Sequence, residues 1–247
     1  SERSRGLGDV YKRQSFAMAS QDVRYYLNGI LLEVSPSQIN VVATDGHRLA
    51  WSSCKIKTDF TDEKIIIPRK SALELQKLLN LYPENVNIAF NSNQLKVFSD
   101  EYTFISKLIE GSYPDYEKVF PKGTEQKLKA NKSLVQTALN RAAVLSNEKY
   151  RGVKFILEKD NLKICANNPS KESAEEEVLV EYSGDSFEIG FNISYVQESL
   201  SVISNNEVEF VFFGSENSCL VKNIDDESLI HVIMPMRLSV SYTHLTL

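Results

Sequence analysis

An α+β domain repeated in tandem is the fold this sequence predicts, on three observations. Two long segments run in parallel: Asp22–Val34, a turn at Ser35–Gln38 and Ile39–Ala43 in the first, Glu148–Glu158, a turn at Lys159–Asn161 and Leu162–Ala166 in the second. Each continues with an apolar run and then helical periodicity, Lys64–Ile67 before Ser71–Leu79 and Phe187–Phe191 before Ser194–Ile203. Each closes on two more apolar runs, Val86–Phe90 with Leu95–Phe98, and Val208–Phe212 with Cys219–Val221. Aligning Arg24 with Arg151 gives an offset of 151 − 24 = 127, about one domain length.

The first half turns on Val41–Trp51, V-V-A-T-D-G-H-R-L-A-W. Val41–Ala43 and Leu49–Trp51 read as paired strands, with Asp45-Gly46 as the hairpin turn between them. Turn chemistry accounts for Asp45 and Gly46 but does not require His47, Arg48 and Leu49 beside them. In the next helix Ala72, Leu75, Leu78 and Leu79 share a face; Val196, Leu200 and Ile203 do so in its counterpart. Leu134, Ala138, Arg141, Ala142 and Leu145 predict a further helix over Lys132–Leu145, with Asn131 as its N-cap. Gly111–Gly123, with Pro114, Pro121 and no periodicity, is the predicted domain boundary. The second half has a strand and a helix ahead of its repeat (Lys127–Ala130 and Lys132–Leu145), whereas the first has only Ser15–Gln21. The expectation is that its opening strand and most of a helix have been cut away.

Both ends read as non-native. One coding of Asp9–Gln14 (D-V-Y-K-R-Q), GAT GTG TAT AAG AGA CAG, gives Val-Ser-Tyr-Thr-His in reverse complement, which is Val240–His244. Residues 1–14 and 239–247 are therefore set aside as scars, leaving 15–122 and 123–238 as the two domains.

Composition bounds the function. The chain has 247 residues, 42% of them hydrophobic and 25% charged, ordinary for a soluble globular protein. No apolar run approaches the roughly 20 residues needed to span a bilayer, which argues against a membrane protein. The net charge of −5 predicts no nucleic-acid affinity unless basic residues gather on one face. Cys54, Cys165 and Cys219 are isolated and odd in number; they read as reduced thiols of a cytosolic protein, with no metal or cofactor site.

The repeat, Q-D-V-R-Y-Y-L-N-G, A-T-D-G-H-R-L-A, I-P-R-K, L-S-N-E-K-Y-R-G and M-P-M-R-L together resemble the bacterial DNA polymerase III beta subunit family, the sliding clamps, over about Ser15–Leu238. The resemblance implies a homodimeric ring of three similar domains per subunit, with sheets outside and helices facing duplex DNA. This chain would hold a shortened middle domain and the third domain, and could not close a ring without the first. It further implies a non-enzymatic processivity factor, cytoplasmic and nucleoid-associated. Its partners would be DNA polymerase III alpha, the clamp loader, other polymerases and repair proteins.

The implied peptide pocket receives motifs of the type Gln-Leu-x-Leu-Phe. Carried over, it comprises Leu27, Thr44, Gly46, His47, Arg48, Leu49, Pro114 and Val119 from the first half. From the second come Asn192, Tyr195, Ser218, Val232, Met234, Pro235, Met236, Arg237 and Leu238. Leu49, Val119, Val232 and Met234 would offer apolar surface, and Arg48, His47 and Asn192 polar orientation. Glu216 stands where the family commonly has an apolar residue, and Lys118 where it has Arg. Gln21, Arg24, Tyr25 and Tyr26 match a loop that touches the duplex, and Arg69 and Lys70 open an inner helix. Lys77, Lys132, Arg141, Lys149 and Arg151 are further candidates for sequence-independent phosphate contacts. Leu145 and the acidic run Glu172–Glu177, with Glu175 and Glu176, match the surface that meets another subunit.

A different class of function, a small hydrolase using Asp45 and His47 with an unidentified nucleophile, is the alternative. No G-x-S-x-G, phosphate-cradling glycine loop or H-E-x-x-H supports it. A hairpin turn with a surface His accounts for the same residues.

Overall fold

Where each strand alternates determines what the sheets bury, and the alternation follows the sequence closely. The computed structural model describes residues 14–57, 61–82, 86–146, 151–168, 170, 172–224 and 226–237. The assigned scars thus lie outside the described residues except for Gln14, which is buried. The chain divides into two units: the described residues up to Phe120 with Lys222–Val232, and Pro121–Val221 with the residues from Ile233 onward.

In the first unit, 3₁₀ turns at Ser15–Ala17 and Tyr25–Leu27 precede β1 (Gly29–Val34), β2 (Gln38–Thr44), β3 (Arg48–Lys55), β4 (Glu63–Pro68) and α1 (Arg69–Leu81). Then come β5 (Asn87–Phe90), β6 (Gln94–Phe98), β7 (Thr103–Lys107) and a 3₁₀ turn at Tyr116–Val119. The strands run in the order β3-β2-β1-β4, all antiparallel, and β5-β6-β7 form a separate meander. Ile30, Leu32, Val34, Ile39, Val41, Ile65 and Ile67 point to one face, where Ala72, Leu75 and Leu79 of α1 close the core with Leu95 and Val97. The period of two for strands against 3.6 for helices is what lets both stripes meet there.

The second unit contains β8 (Gln126–Asn131), α2 (Lys132–Leu145), β9 (Gly152–Glu158), β10 (Asn161–Asn167), β11 (Ser173–Leu179), β12 (Glu181–Tyr182), β13 (Phe187–Asn192), α3 (Ile193–Ser201), β14 (Glu207–Phe212) and β15 (Cys219–Asn223). The order β11-β10-β9-β13 repeats that of the first unit, and β14 pairs with both β8 and β15. The last strand, β16 (Asp226–Ile233), lies beside β3, so residues 222–232 cluster with the first unit. No strand among the described residues pairs with the outer edge of β5, where β14 has β8.

Backbone hydrogen bonds correct the internal alignment. The first amide of α1, Arg69 N–H, donates to Asn28 C=O (2.9 Å), and that of α3, Ile193 N–H, donates to Arg151 C=O (2.8 Å). Arg151 therefore corresponds to Asn28, not to Arg24; the 3₁₀ turn at Tyr25–Leu27 intervenes. Asn131 caps α2 as expected, its side chain accepting from Leu134 N–H. The buried face of α2 differs from the expected one: Val135, Ala138, Leu139 and Ala142 are buried, whereas Leu134 is 56% exposed and Arg141 reaches Glu176 in solvent. Leu134 and Arg141, two turns apart, share an outer stripe. The acidic run also differs from the exposed loop that is its simplest reading, because Ser173–Leu179 is the edge strand β11.

Candidate functional site

The corner between β2 and β3 is built by its own short side chains. Thr44 Oγ1 donates to Arg48 C=O (2.6 Å) and accepts Gly46 N–H (3.1 Å). Asp45 Oδ1 accepts the backbone N–H groups of His47 (2.9 Å) and Arg48 (3.1 Å), an Asx turn. Gly46 takes φ +89°, which a side chain would resist, and a Cβ there would meet Arg24 Nη2 at 2.9 Å. Asp45 Oδ2 is 2.9 Å from Arg48 Nε, a pair only 11% and 16% exposed. Arg48 also donates to Phe16 C=O (2.8 Å) and lies over the Phe16 ring at 5.2 Å. Phe16 in turn meets buried His231 edge-on at 5.2 Å.

This wiring removes support for the hydrolase reading. The Asp45 carboxylate is committed to two backbone amides and a guanidinium, and what it takes from His47 is the main-chain N–H, not the imidazole. His47 stands exposed at the tip of the turn. Leu27, Thr44, Leu49 and Val232 are buried, whereas His47 and Pro114 are exposed and Val119 is half-exposed. Tyr113, Asp115 and Pro114 also line a cleft of about 440 Å³ with Leu31, Lys64 and Ile66.

In the second unit, Asn192 ends β13 and caps α3, its Oδ1 accepting Ser194 N–H at 2.9 Å. Tyr195 sits in the first turn of α3, half-buried, as is Ser218 before β15. Met236 N–H donates to Gly190 C=O (2.8 Å), which latches Met234–Met236, all half-buried, alongside β13; Arg237 is exposed. Ile109 N–H and Ile66 C=O make the same contact in the first unit (2.9 Å), so the latch is a property of the repeat. Leu238 lies outside the described residues, as does Lys149.

Of the DNA-contact candidates, Gln21, Arg24, Tyr25 and Lys70 are exposed, and Tyr26 and Arg69 half-exposed. Two of these cations are already engaged: Arg69 donates to Met18 C=O (2.9 Å), and Arg24 forks onto Asp22 (3.0 and 2.8 Å). Hydrogen bonding from Arg24 holds the Asp22 carboxyl at about 2, below the ordinary 3.8. A carboxyl depressed on folding contributes stability that is complete above its unfolded value and lost as pH falls through the folded one. The loop pairing will therefore persist at pH 4 and fail near pH 2; an NMR titration of Asp22 will show a midpoint of about 2, returning toward 3.8 in Arg24→Gln. Glu175 pairs with Lys163 (2.9 Å) and Glu176 with Arg141 (3.2 Å), while Leu145 is half-buried at the end of α2 and Glu172 is exposed.

Phe16, Asp22 and Tyr113 escaped the sequence reading. Phe16 and Tyr113 act across long separations, on Arg48 and Thr44, and Asp22 acts through an ion pair with Arg24 two residues on; no periodic pattern marks any of them.

Two α+β units of the same strand order, each with a helix entered from the strand that pairs beside the repeat's first, define a tandem clamp-type protein. The central-domain model of the DNA polymerase III beta subunit matches residues 4–115 and the C-terminal-domain model matches residues 117–237. The chain belongs to the DNA polymerase III beta subunit family. The Beta sliding clamp of Pseudomonas aeruginosa is 47% identical over 233 residues, covering 94% of this chain and 64% of the relative. That of Escherichia coli is 42% identical over 223 residues, covering 90% and 61%. A crystal structure of the Pseudomonas aeruginosa subunit superposes with a TM-score of 0.93 at 45% identity, covering 95% of this chain and 64% of that one. Another from the same organism, bound to griselimycin, gives 0.90 at 45% identity, with the same coverage. The chain thus spans less than two thirds of the length of these relatives.

Proposed function

We propose that the protein carrying this chain is a sliding clamp, a non-enzymatic processivity factor that encircles duplex DNA as a homodimeric ring in the bacterial cytoplasm. Residues 15–122 and 123–238 serve as its middle and third domains. The observation that carries this reading is the match of both units, in order, to the two beta-subunit domain models. The cross-linked corner at Thr44–Leu49 presents His47 on a rigid turn, and the latched run Met234–Met236 offers adaptable apolar side chains. Together with the other pocket residues they bind linear motifs of polymerases, the clamp loader and repair proteins. The griselimycin-bound relative supports a ligand site in this family. Gln21, Arg24, Tyr25, Tyr26, Arg69 and Lys70 make salt-sensitive phosphate contacts with DNA. Leu145, Glu172, Glu175 and Glu176 on α2 and around β11 meet a second subunit.

The test is fluorescence polarisation with a labelled Gln-Leu-x-Leu-Phe peptide. The chain will bind it saturably, a scrambled peptide will not compete, and His47→Ala or Met236→Ala will weaken binding about tenfold, equivalent to about 1.4 kcal/mol. A chain folded by circular dichroism that binds no such peptide would sink the peptide reading.

A further inference from the structure

The corner is held from outside as well as from within, and the outside contact falls on its base. Thr44 ends β2, beyond Leu31–Val42, where the β1–β2 pairing stops. Its N–H donates instead to the Tyr113 hydroxyl at 3.1 Å. Thr44 is also the residue whose hydroxyl closes the turn, through Gly46 N–H and Arg48 C=O. Fixing the Thr44 amide therefore fixes the direction in which the whole turn leaves the sheet. Thr44 is 7% exposed, so water cannot readily replace the phenol oxygen as acceptor. Burial pushes the Tyr113 phenol above its ordinary value, which keeps it a neutral acceptor across the working pH range. Tyr113 also directly precedes the exposed Pro114, so one stretch of chain carries both a candidate pocket residue and the support for the corner.

We propose that Tyr113 is a positioning residue for peptide recognition, its hydroxyl setting the orientation of the Thr44–Arg48 corner. The proposal rests on the peptide reading above. Tyr113 touches no peptide in this role; it lowers the cost of binding by holding the turn in one orientation beforehand.

A control lies on the same segment. Tyr116, which is buried, donates its hydroxyl to Glu33 Oε2 at 2.5 Å, where Glu33 pairs with Asn40 toward the end of the β1–β2 ladder far from the turn. Tyr113→Phe and Tyr116→Phe each delete one buried hydroxyl from one linker, but only the first deletion reaches the corner. In the full chain, Tyr113→Phe will weaken binding of a labelled Gln-Leu-x-Leu-Phe peptide about tenfold, the scale of one hydrogen bond. Tyr116→Phe will leave that affinity within about twofold. Amide hydrogen exchange at Thr44 and Gly46, read by NMR, will accelerate about tenfold in Tyr113→Phe and stay as in the wild type in Tyr116→Phe. Equal weakening by both variants would reduce Tyr113 to a structural role, and unchanged affinity in Tyr113→Phe would overturn the proposal. If the wild-type chain binds no peptide, the peptide reading falls and takes this proposal with it. Unchanged Thr44 exchange in Tyr113→Phe removes the proposal alone.

Discussion

Asp45→Ala will destabilise the first unit by about 2–3 kcal/mol, with Asp45→Asn costing roughly half as much. The Asp45 carboxylate accepts two backbone N–H groups and pairs with a guanidinium 11% exposed, so alanine removes charge-assisted bonds and strips a partner from a largely buried cation. Asparagine keeps a carbonyl oxygen where Oδ1 stands and can still accept the His47 and Arg48 amides, losing mainly the ion pair. The order wild type, Asn, Ala is what separates this account from one in which Asp45 is a surface turn residue of no consequence. Urea unfolding followed by exchange protection of the β2 and β3 amides measures it. Should Ala and wild type coincide, the corner owes its shape to Gly46 and Thr44 alone.

Phe155→Ala will cost about 3–5 kcal/mol and strike the second unit. Phe155 is fully buried on β9, with Phe191 edge-on at 5.4 Å and Phe210 at 6.2 Å; Phe210 stacks on Phe212 in turn. Truncation leaves a cavity among aromatic rings on strands of two sheets that cannot collapse without moving those strands. Exchange protection will fall across β9, β10 and β13 while β1, β2 and β4 hold theirs, since Phe155 contributes nothing to the first core. A loss spread evenly over both units would show that they unfold as one.

Much of this architecture was legible because the residues that specify it act locally. Asp-Gly between apolar runs gave the β2–β3 hairpin, Asn131 gave the start of α2, the apolar run ending at Ile67 gave β4, and the spacing of Ala72, Leu75, Leu78 and Leu79 gave α1. What escaped was specified at a distance. Thr103–Lys107 and Ser173–Leu179 became strands although charged or polar residues interrupt them, because a neighbouring strand supplied the pairing and one face stayed in solvent. The face of α2 was misread because Leu134 is an exposed apolar residue, which surface helices carry routinely. For the site, the turn residues announced themselves, whereas Phe16 and Tyr113, which hold that turn from either side, did not. An aromatic residue that accepts one amide across a long stretch of sequence leaves no periodic trace.

The placement of residues 222–232 with the first unit has a consequence for synthesis on the ribosome. A chain emerging from its N-terminus completes β1 to β7 early, but the position beside β3 stays vacant until β16 clears the exit tunnel. Through that interval β3 presents an unpaired edge, with Arg48–Lys55 open to any passing strand. The polar Ser52, Ser53 and Lys55 on that edge, interleaved with Trp51 and Cys54, read as the protection a nascent strand needs while it waits.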